Sequence, residues 1–91
     1  MKIKDNERIA FGERLRSARI KKGLTQKDLA ELTGTSSNMI SKYENGRLIP
    51  NGDMLINLSV VLGETINMLM CGFEDPNSAK ELEPLIKEKD N

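Results

Sequence analysis

The sequence predicts an all-α fold, a compact five-helix bundle followed by a short C-terminal tail. Two observations support this prediction. Apolar residues recur at helical spacing in separate segments, which is typical of helices that each bury one face. Between these segments stand the glycines at positions 23, 34, 46, 63 and 72, where a residue that readily ends a helix is expected. No segment shows the polar–apolar alternation of a strand.

The first helix is predicted from about Glu7 to Lys22, after a polar N-terminal arm. Phe11, Leu15 and Ala18 form its inward stripe because they lie at positions i, i+4 and i+7. Gly23 ends this helix. The basic residues that we expect to face solvent are Arg8, Arg14, Arg16 and Lys21.

Two short helices joined by a tight turn are predicted between Gly23 and Gly46. Thr25 is a good N-cap for the first of them, because its hydroxyl accepts a backbone N–H of the first turn. Gly34 stands where a left-handed C-terminal residue is wanted. The inner side of this first helix is assigned to Leu29, Ala30 and Leu32.

The second short helix follows the capping cluster of residues 35–37 and ends at Asn45 and Gly46. Ile40 and Tyr43 lie three residues apart, so they share its inner side. The other side carries Ser37, Asn38, Ser41 and Lys42. Two short helices joined through a glycine-containing turn form a helix-turn-helix.

Two further helices are predicted after Pro50, which blocks continuation of the preceding helix. The fourth runs from about Gly52 or Asp53 to Leu62, and a short fifth opens at Glu64 or Thr65 and ends at Gly72. We expect Cys71 to be a small apolar residue near the core. The inward residues of these helices are Met54, Leu55, Leu58, Val61, Leu62, Ile66, Leu69 and Met70.

Domain organisation is predicted to be simple, with one helical domain over residues 1–73 and an acidic tail over residues 74–91 that holds a possible short helix. Leu82, Leu85 and Ile86 in the tail repeat at helical spacing. Packing of these residues on their own domain and contact with another protomer remain two open alternatives.

Composition excludes several classes of function. There is no histidine and one cysteine, so a zinc site, a disulfide framework and a His-based catalytic centre are not expected. We therefore predict a protein that is not an enzyme and needs no cofactor or metal. A lone thiol, the lack of a membrane-spanning apolar run and a polar N-terminus favour a cytoplasmic location.

Charge is unevenly distributed although the net charge is zero. Residues 1–50 hold eleven Lys and Arg against six Asp and Glu, and residues 51–91 hold three against eight. The two halves therefore carry +5 and −5. A basic half attracts phosphates, so local charge indicates a nucleic-acid partner where total charge does not.

The predicted helix-turn-helix and the residues just after it resemble a known family of DNA-binding domains. Residues 23–26, Leu29-Ala30, Gly34, residues 40–46 and Pro50 match the Cro and phage-repressor class, also called the xenobiotic-response-element family. The resemblance runs from about Phe11 to Phe73 and implies a lambda repressor-like domain. In this family the second short helix lies in the major groove of DNA.

The resemblance also implies roles for individual residues. It implies that Ser37 and Asn38 meet base edges, that Lys42 reaches a guanine or a phosphate, and that Gln26 holds a phosphate. It further implies a structural pair between Arg19 and Glu44. The full set of expected DNA-binding residues is Gln26, Ser36, Ser37, Asn38, Ser41, Lys42, Asn45 and Arg47.

The function predicted from this resemblance is sequence-specific binding of double-stranded DNA by a bacterial or phage transcriptional regulator. It would act as a repressor, as a homodimer on an operator, in the cytoplasm and associated with the nucleoid. The alternative is an antitoxin-type module that neutralises a partner protein and regulates its own promoter. In that case the partner would be held by the acidic tail residues Glu74, Asp75, Glu81, Glu83, Glu88 and Asp90.

Overall fold

The computed structural model describes residues 5–72 of the 91-residue chain. Over this range the chain forms five α-helices and the all-α prediction is confirmed. Phe73, the predicted tail over residues 74–91 and its possible short helix lie outside the described residues. The helices are α1 (Asp5–Lys21), α2 (Gln26–Thr33), α3 (Ser37–Glu44), α4 (Gly52–Leu62) and α5 (Ile66–Cys71).

The first helix begins two residues before the predicted start. Asp5 and Glu7 lie in its first turn, and Arg19 and Lys21 lie in its last turn. Negative charge at the N-terminus and positive charge at the C-terminus both oppose the helix dipole favourably. The acidic residues thus support a first turn that the apolar spacing alone does not reveal.

Each helix after α1 begins at a polar residue that caps its first turn. Thr25 caps α2 as predicted, since its Oγ1 accepts the backbone N–H of Asp28 at 3.0 Å. Gly34 closes α2 in the left-handed region, with φ of 78°, which costs glycine little and other residues much more. The remaining N-caps are Ser36 for α3, Asn51 for α4 and Thr65 for α5.

The core is aliphatic around one phenylalanine and one tyrosine. In this core α1 packs on α3 and α5, α2 packs on α3 and α4, and α4 packs on α5. The two short helices of the turn motif are thereby held between the first helix and the fourth. The buried hydrophobic residues are Phe11, Leu15, Ala18, Leu29, Ala30, Ile40, Tyr43, Leu58, Leu62 and Leu69.

Three residues that were expected to be inward lie elsewhere. Leu32 is 60% exposed, and Thr33 takes the buried place one residue further on. Thr33 fits there because its hydroxyl donates to the carbonyl of Leu29 at 2.7 Å, which satisfies the polar group. Ile66, the first residue of α5, is 39% exposed. Cys71, the last residue of α5, is also exposed.

Two arginines that were expected to face solvent bind backbone carbonyls of other segments instead. Arg14 donates from Nε to the carbonyl of Leu69 at 2.7 Å and from Nη2 to the carbonyl of Met70 at 2.5 Å. Arg8 donates from Nε to the carbonyl of Gly46 at 3.3 Å. The last carbonyls of a helix lack intrahelical partners, so Arg14 satisfies the end of α5 from α1.

The start of α2 makes the stability of the fold sensitive to acid. Asp28 Oδ2 accepts the backbone N–H of Thr25 at 3.0 Å, which completes a reciprocal capping box. The hydrogen bonds from Thr25, with a smaller contribution from Lys27, lower the pKa of Asp28 below its ordinary value. A lowered folded-state pKa contributes stability above the unfolded pKa of about 3.9. That contribution is lost as the pH falls through the folded pKa.

Asp28→Asn should therefore remove a part of the stability that depends on pH. We expect the difference in unfolding free energy between wild type and variant to be constant near neutral pH and to shrink below about pH 4. Urea denaturation across a pH series measures this. Glu31→Gln, an exposed neutral replacement on the same helix, should show no such trend. If the difference in unfolding free energy between wild type and Asp28→Asn stays the same below about pH 4, the capping role of Asp28 is contradicted.

Candidate nucleic-acid interface

The turn between α2 and α3 sets the two helices against each other. After Gly34 the backbone N–H of Thr35 donates to the carbonyl of Ala30 at 2.9 Å, which closes the end of α2. Ser36 then begins α3 by accepting the N–H of Met39 at 3.2 Å. Because α3 buries Ile40 and Tyr43 against α1 and α2, its opposite side faces solvent.

The first turn of α3 presents small polar side chains to solvent. Ser37 and Asn38 are both exposed, as the sequence predicted. Ser36 is exposed too, but its hydroxyl oxygen is already an acceptor in the N-cap, so it offers a partner chiefly a donor. Lys42 is half-buried one turn beyond Asn38, and its ammonium supplies charge to the same side of the helix.

The C-terminal end of α3 carries the remaining predicted contact residues. Asn45 is exposed, and its Nδ2 donates to Oγ of Ser41 at 3.3 Å. The backbone N–H of Arg47 donates to the carbonyl of Lys42 at 3.0 Å, so the chain turns sharply after the helix. The Arg47 side chain is exposed. The polar and basic strip of α3 and the turn after it therefore consists of Ser37, Asn38, Ser41, Lys42, Asn45 and Arg47.

The Arg19 and Glu44 pair lies behind this strip. Arg19 donates from Nε to Glu44 Oε2 at 2.6 Å and from Nη2 to Oε1 at 3.1 Å. The Arg19 side chain is 11% exposed and that of Glu44 is 3% exposed. Two parallel bonds between a guanidinium and a carboxylate fix geometry as well as charge. This ion pair joins the end of α1 to the end of α3.

Two further side-chain contacts extend the pair into a network. Gln26 Nε2 donates to Glu44 Oε1 at 3.0 Å, so the first residue of α2 is bound to the last residue of α3. Arg19 Nη1 donates to the carbonyl of Leu24 at 2.8 Å. The network therefore connects α1, the loop before α2, and both helices of the turn motif.

Sequence reasoning missed two features of this site. The bond between Gln26 and Glu44 spans 18 positions, and no local pattern indicates such a contact. Gly12 lies inside α1, where a Cβ atom would stand 2.4 Å from the carbonyl oxygen of Glu44 and 2.6 Å from that of Tyr43. A glycine in the middle of an amphipathic helix is the one available signal of so close an approach.

The described part of the chain contains no candidate metal-binding site. Across residues 5–72 no group of three or more Cys, Asp and Glu side chains is placed to hold a metal ion. In the same part of the chain, none of the five helices has the length and apolar character to cross a bilayer.

Comparison with known proteins identifies the family. A profile of the helix-turn-helix family matches residues 15–69. Multiprotein-bridging factor 1 of Candida albicans is 42% identical over 55 residues, which are 60% of this chain and 36% of that protein. The SPbeta prophage-derived transcriptional regulator YonR of Bacillus subtilis is 37% identical over 62 residues, or 68% of this chain and 57% of that one. The chain thus spans less than two thirds of the length of each of these relatives.

A solved structure shows the same fold over the matched region. The P22 c2 repressor, determined in complex with a synthetic operator, superposes with a TM-score of 0.68 at 35% identity. The match covers 69% of this chain and 96% of the repressor chain. With a family profile over residues 15–69 and this structural likeness, the chain belongs to the helix-turn-helix family of the Cro and phage-repressor type.

Proposed function

We propose that this protein binds double-stranded DNA sequence-specifically and represses transcription by occupying an operator. The observation that carries the proposal is the first turn of α3, where Ser37 and Asn38 are exposed on a helix whose other side is buried. A helix in this setting places its N-terminal residues against base edges in the major groove. The P22 c2 repressor, which shares the fold, was solved with an operator.

Base reading is assigned to the exposed polar residues of α3. The Asn38 amide has both a donor and an acceptor, which suits bidentate bonding to adenine N6 and N7. Ser37 bonds several bases with little discrimination. Lys42 lies one turn further along the helix, where its ammonium reaches guanine O6 and N7 or a phosphate.

Phosphate contacts are assigned to the residues that surround the reading turn. The first helix of such a motif crosses the DNA backbone, which brings Gln26 at the start of α2 toward a phosphate. Arg47 and Asn45 are exposed at the other end of α3. Ser36 and Ser41 supply hydroxyl groups between these ends. The basic first half of the chain adds long-range attraction.

A dimer is proposed because one copy of α3 reads only one half-site. Two copies related by a two-fold axis would read a palindrome, with half-site centres about 34–36 Å apart, one turn of duplex. In this arrangement residues 1–73 read DNA, and residues 74–91 form a separate acidic tail that is unsuited to lie along phosphates.

Selection of bound duplexes from a random DNA pool tests the proposed function. Wild type should enrich a palindrome, and Asn38→Ala should relax base preference at one position of each half-site. A good bidentate contact discriminates by about 1–3 kcal/mol. Circular dichroism should show the same helix content for both proteins.

Asn57→Ala is the matched control, because Asn57 is an exposed asparagine on α4. That variant should enrich the wild-type site unchanged. If wild type enriches no sequence, DNA reading by this chain is rejected. If Asn38→Ala keeps full wild-type preference at every position, the assignment of Asn38 to a base is rejected.

A further inference from the structure

Gln26 occupies a position in which its side-chain orientation matters. It is the first residue of α2, it is half-buried, and its Nε2 donates to Glu44 Oε1 at 3.0 Å. An amide carries two N–H groups on nitrogen and an acceptor oxygen, and these two ends are nearly equal in size. An amide with no fixed partner therefore alternates between two flipped orientations.

Glu44 removes this ambiguity. An ionised carboxylate only accepts hydrogen bonds, so the amide oxygen of Gln26 cannot replace its nitrogen at Glu44. Glu44 is itself held by the two bonds from Arg19, and its side chain is 3% exposed. The carboxylate is thus a rigid acceptor that fixes which end of the Gln26 amide lies against α3.

We infer that Glu44 is a positioning residue for Gln26, and that it orients the Gln26 amide nitrogen for a phosphate oxygen of bound DNA. One N–H of Nε2 bonds Glu44 and the second is left for the phosphate, which also only accepts. This inference rests on the proposed function. It gives Glu44 a part in affinity that is separate from its part in stability.

Charge balance is consistent with this arrangement. A buried carboxylate near a phosphate would repel it, but Arg19 pairs with Glu44 in bidentate geometry and offsets its charge. The Gln26 contact is neutral, so it adds a directed hydrogen bond with no counterion release. Its loss should weaken binding equally at all salt concentrations, whereas loss of a Lys or Arg phosphate contact reduces the log–log salt slope by about one.

A double-mutant cycle in DNA affinity tests the inference. Wild type, Glu44→Gln, Gln26→Leu and the double variant are titrated with the duplex that wild type enriches, at a temperature where circular dichroism shows all four folded. Each single change should weaken binding about threefold to tenfold. The double variant should bind no more weakly than Gln26→Leu, because Glu44 has nothing left to orient. Gln26→Leu should keep the wild-type salt slope, because it removes no charge.

A second cycle, which combines Glu44→Gln with Asn38→Ala, is the control, since Asn38 is exposed and makes no bond to Glu44. In this cycle the fold-losses in DNA affinity of the two single variants should multiply in the double variant. If Glu44→Gln fails to fold, Glu44→Asp takes its place, because it keeps the charge and withdraws the carboxylate by one methylene. If wild type binds the duplex but the affinity losses of Glu44→Gln and Gln26→Leu multiply in the double variant, the inference is overturned and the proposed function is not. No binding by wild type would overturn the proposed function as well.

Discussion

Replacing Glu44 with alanine should lower the free energy of unfolding by about 3–5 kcal/mol, as expected when one partner of a buried ion pair is removed. The large effect follows from burial, since Arg19 retains only 11% exposure and would keep its charge without the carboxylate. Gln26 would also lose the acceptor of its Nε2. Thermal or urea denaturation followed by far-UV circular dichroism measures the loss.

The double variant Arg19→Ala with Glu44→Ala separates the interaction energy of the ion pair from the cost of leaving one buried charge without its partner. We expect the double variant to lose less unfolding free energy than the two single variants lose together, because no unpaired charge remains. Glu31→Ala removes an exposed glutamate from α2 and should change stability by no more than about 0.5 kcal/mol. Additive losses in the Arg19 and Glu44 cycle would reject the ion pair as a coupled unit.

Gly12→Ala should destabilise the domain even though alanine is the better helix former. Alanine gains about 1 kcal/mol of helix propensity over glycine. Its Cβ, however, would meet the carbonyl oxygens of Glu44 and Tyr43 at 2.4 Å and 2.6 Å. Both atoms belong to the backbone of α3, so α1 and α3 must move apart. Overpacking of this kind typically costs about 1–3 kcal/mol, occasionally more, so after the gain in helix propensity we expect a net loss of about 1–2 kcal/mol.

Gly52→Ala provides the matched control for this substitution. Gly52 is the first residue of α4, and a Cβ there would have no atom within 4 Å. The variant should be neutral or slightly stabilised. Denaturation midpoints of the two variants, measured together, decide the question. Equal stability of Gly12→Ala and Gly52→Ala would show that α1 and α3 are not in the close contact described.

Local chemistry explains why the sequence predicted most of the fold. The Thr25 cap and the Gly34 stop act within one turn of their own helix, so residues a few positions apart reveal them. The inward stripe of Phe11, Leu15 and Ala18 is likewise buried as expected. The expected contact residues 36–38 are exposed as well, because they form the cap and the first turn of α3.

The errors arise where a residue finds its partner far along the chain. Arg14 was expected in solvent, but it binds carbonyls 55 and 56 positions away, which only the packing of α5 on α1 brings near. Thr33 was passed over for Leu32 because a hydroxyl looks polar in sequence. In the helix that hydroxyl donates to Leu29, and its methyl group is then free to pack.

The separation of buried and exposed residues within α3 affects how such a protein can evolve. Within eight residues, Ile40, Tyr43 and Glu44 are buried, while Ser37 and Asn38 are exposed. Exposed positions tolerate substitution with little effect on stability. Mutations at Ser37 and Asn38 can therefore be sampled freely by a lineage, and a duplicated gene can acquire a new target sequence while its product remains folded at every intermediate step.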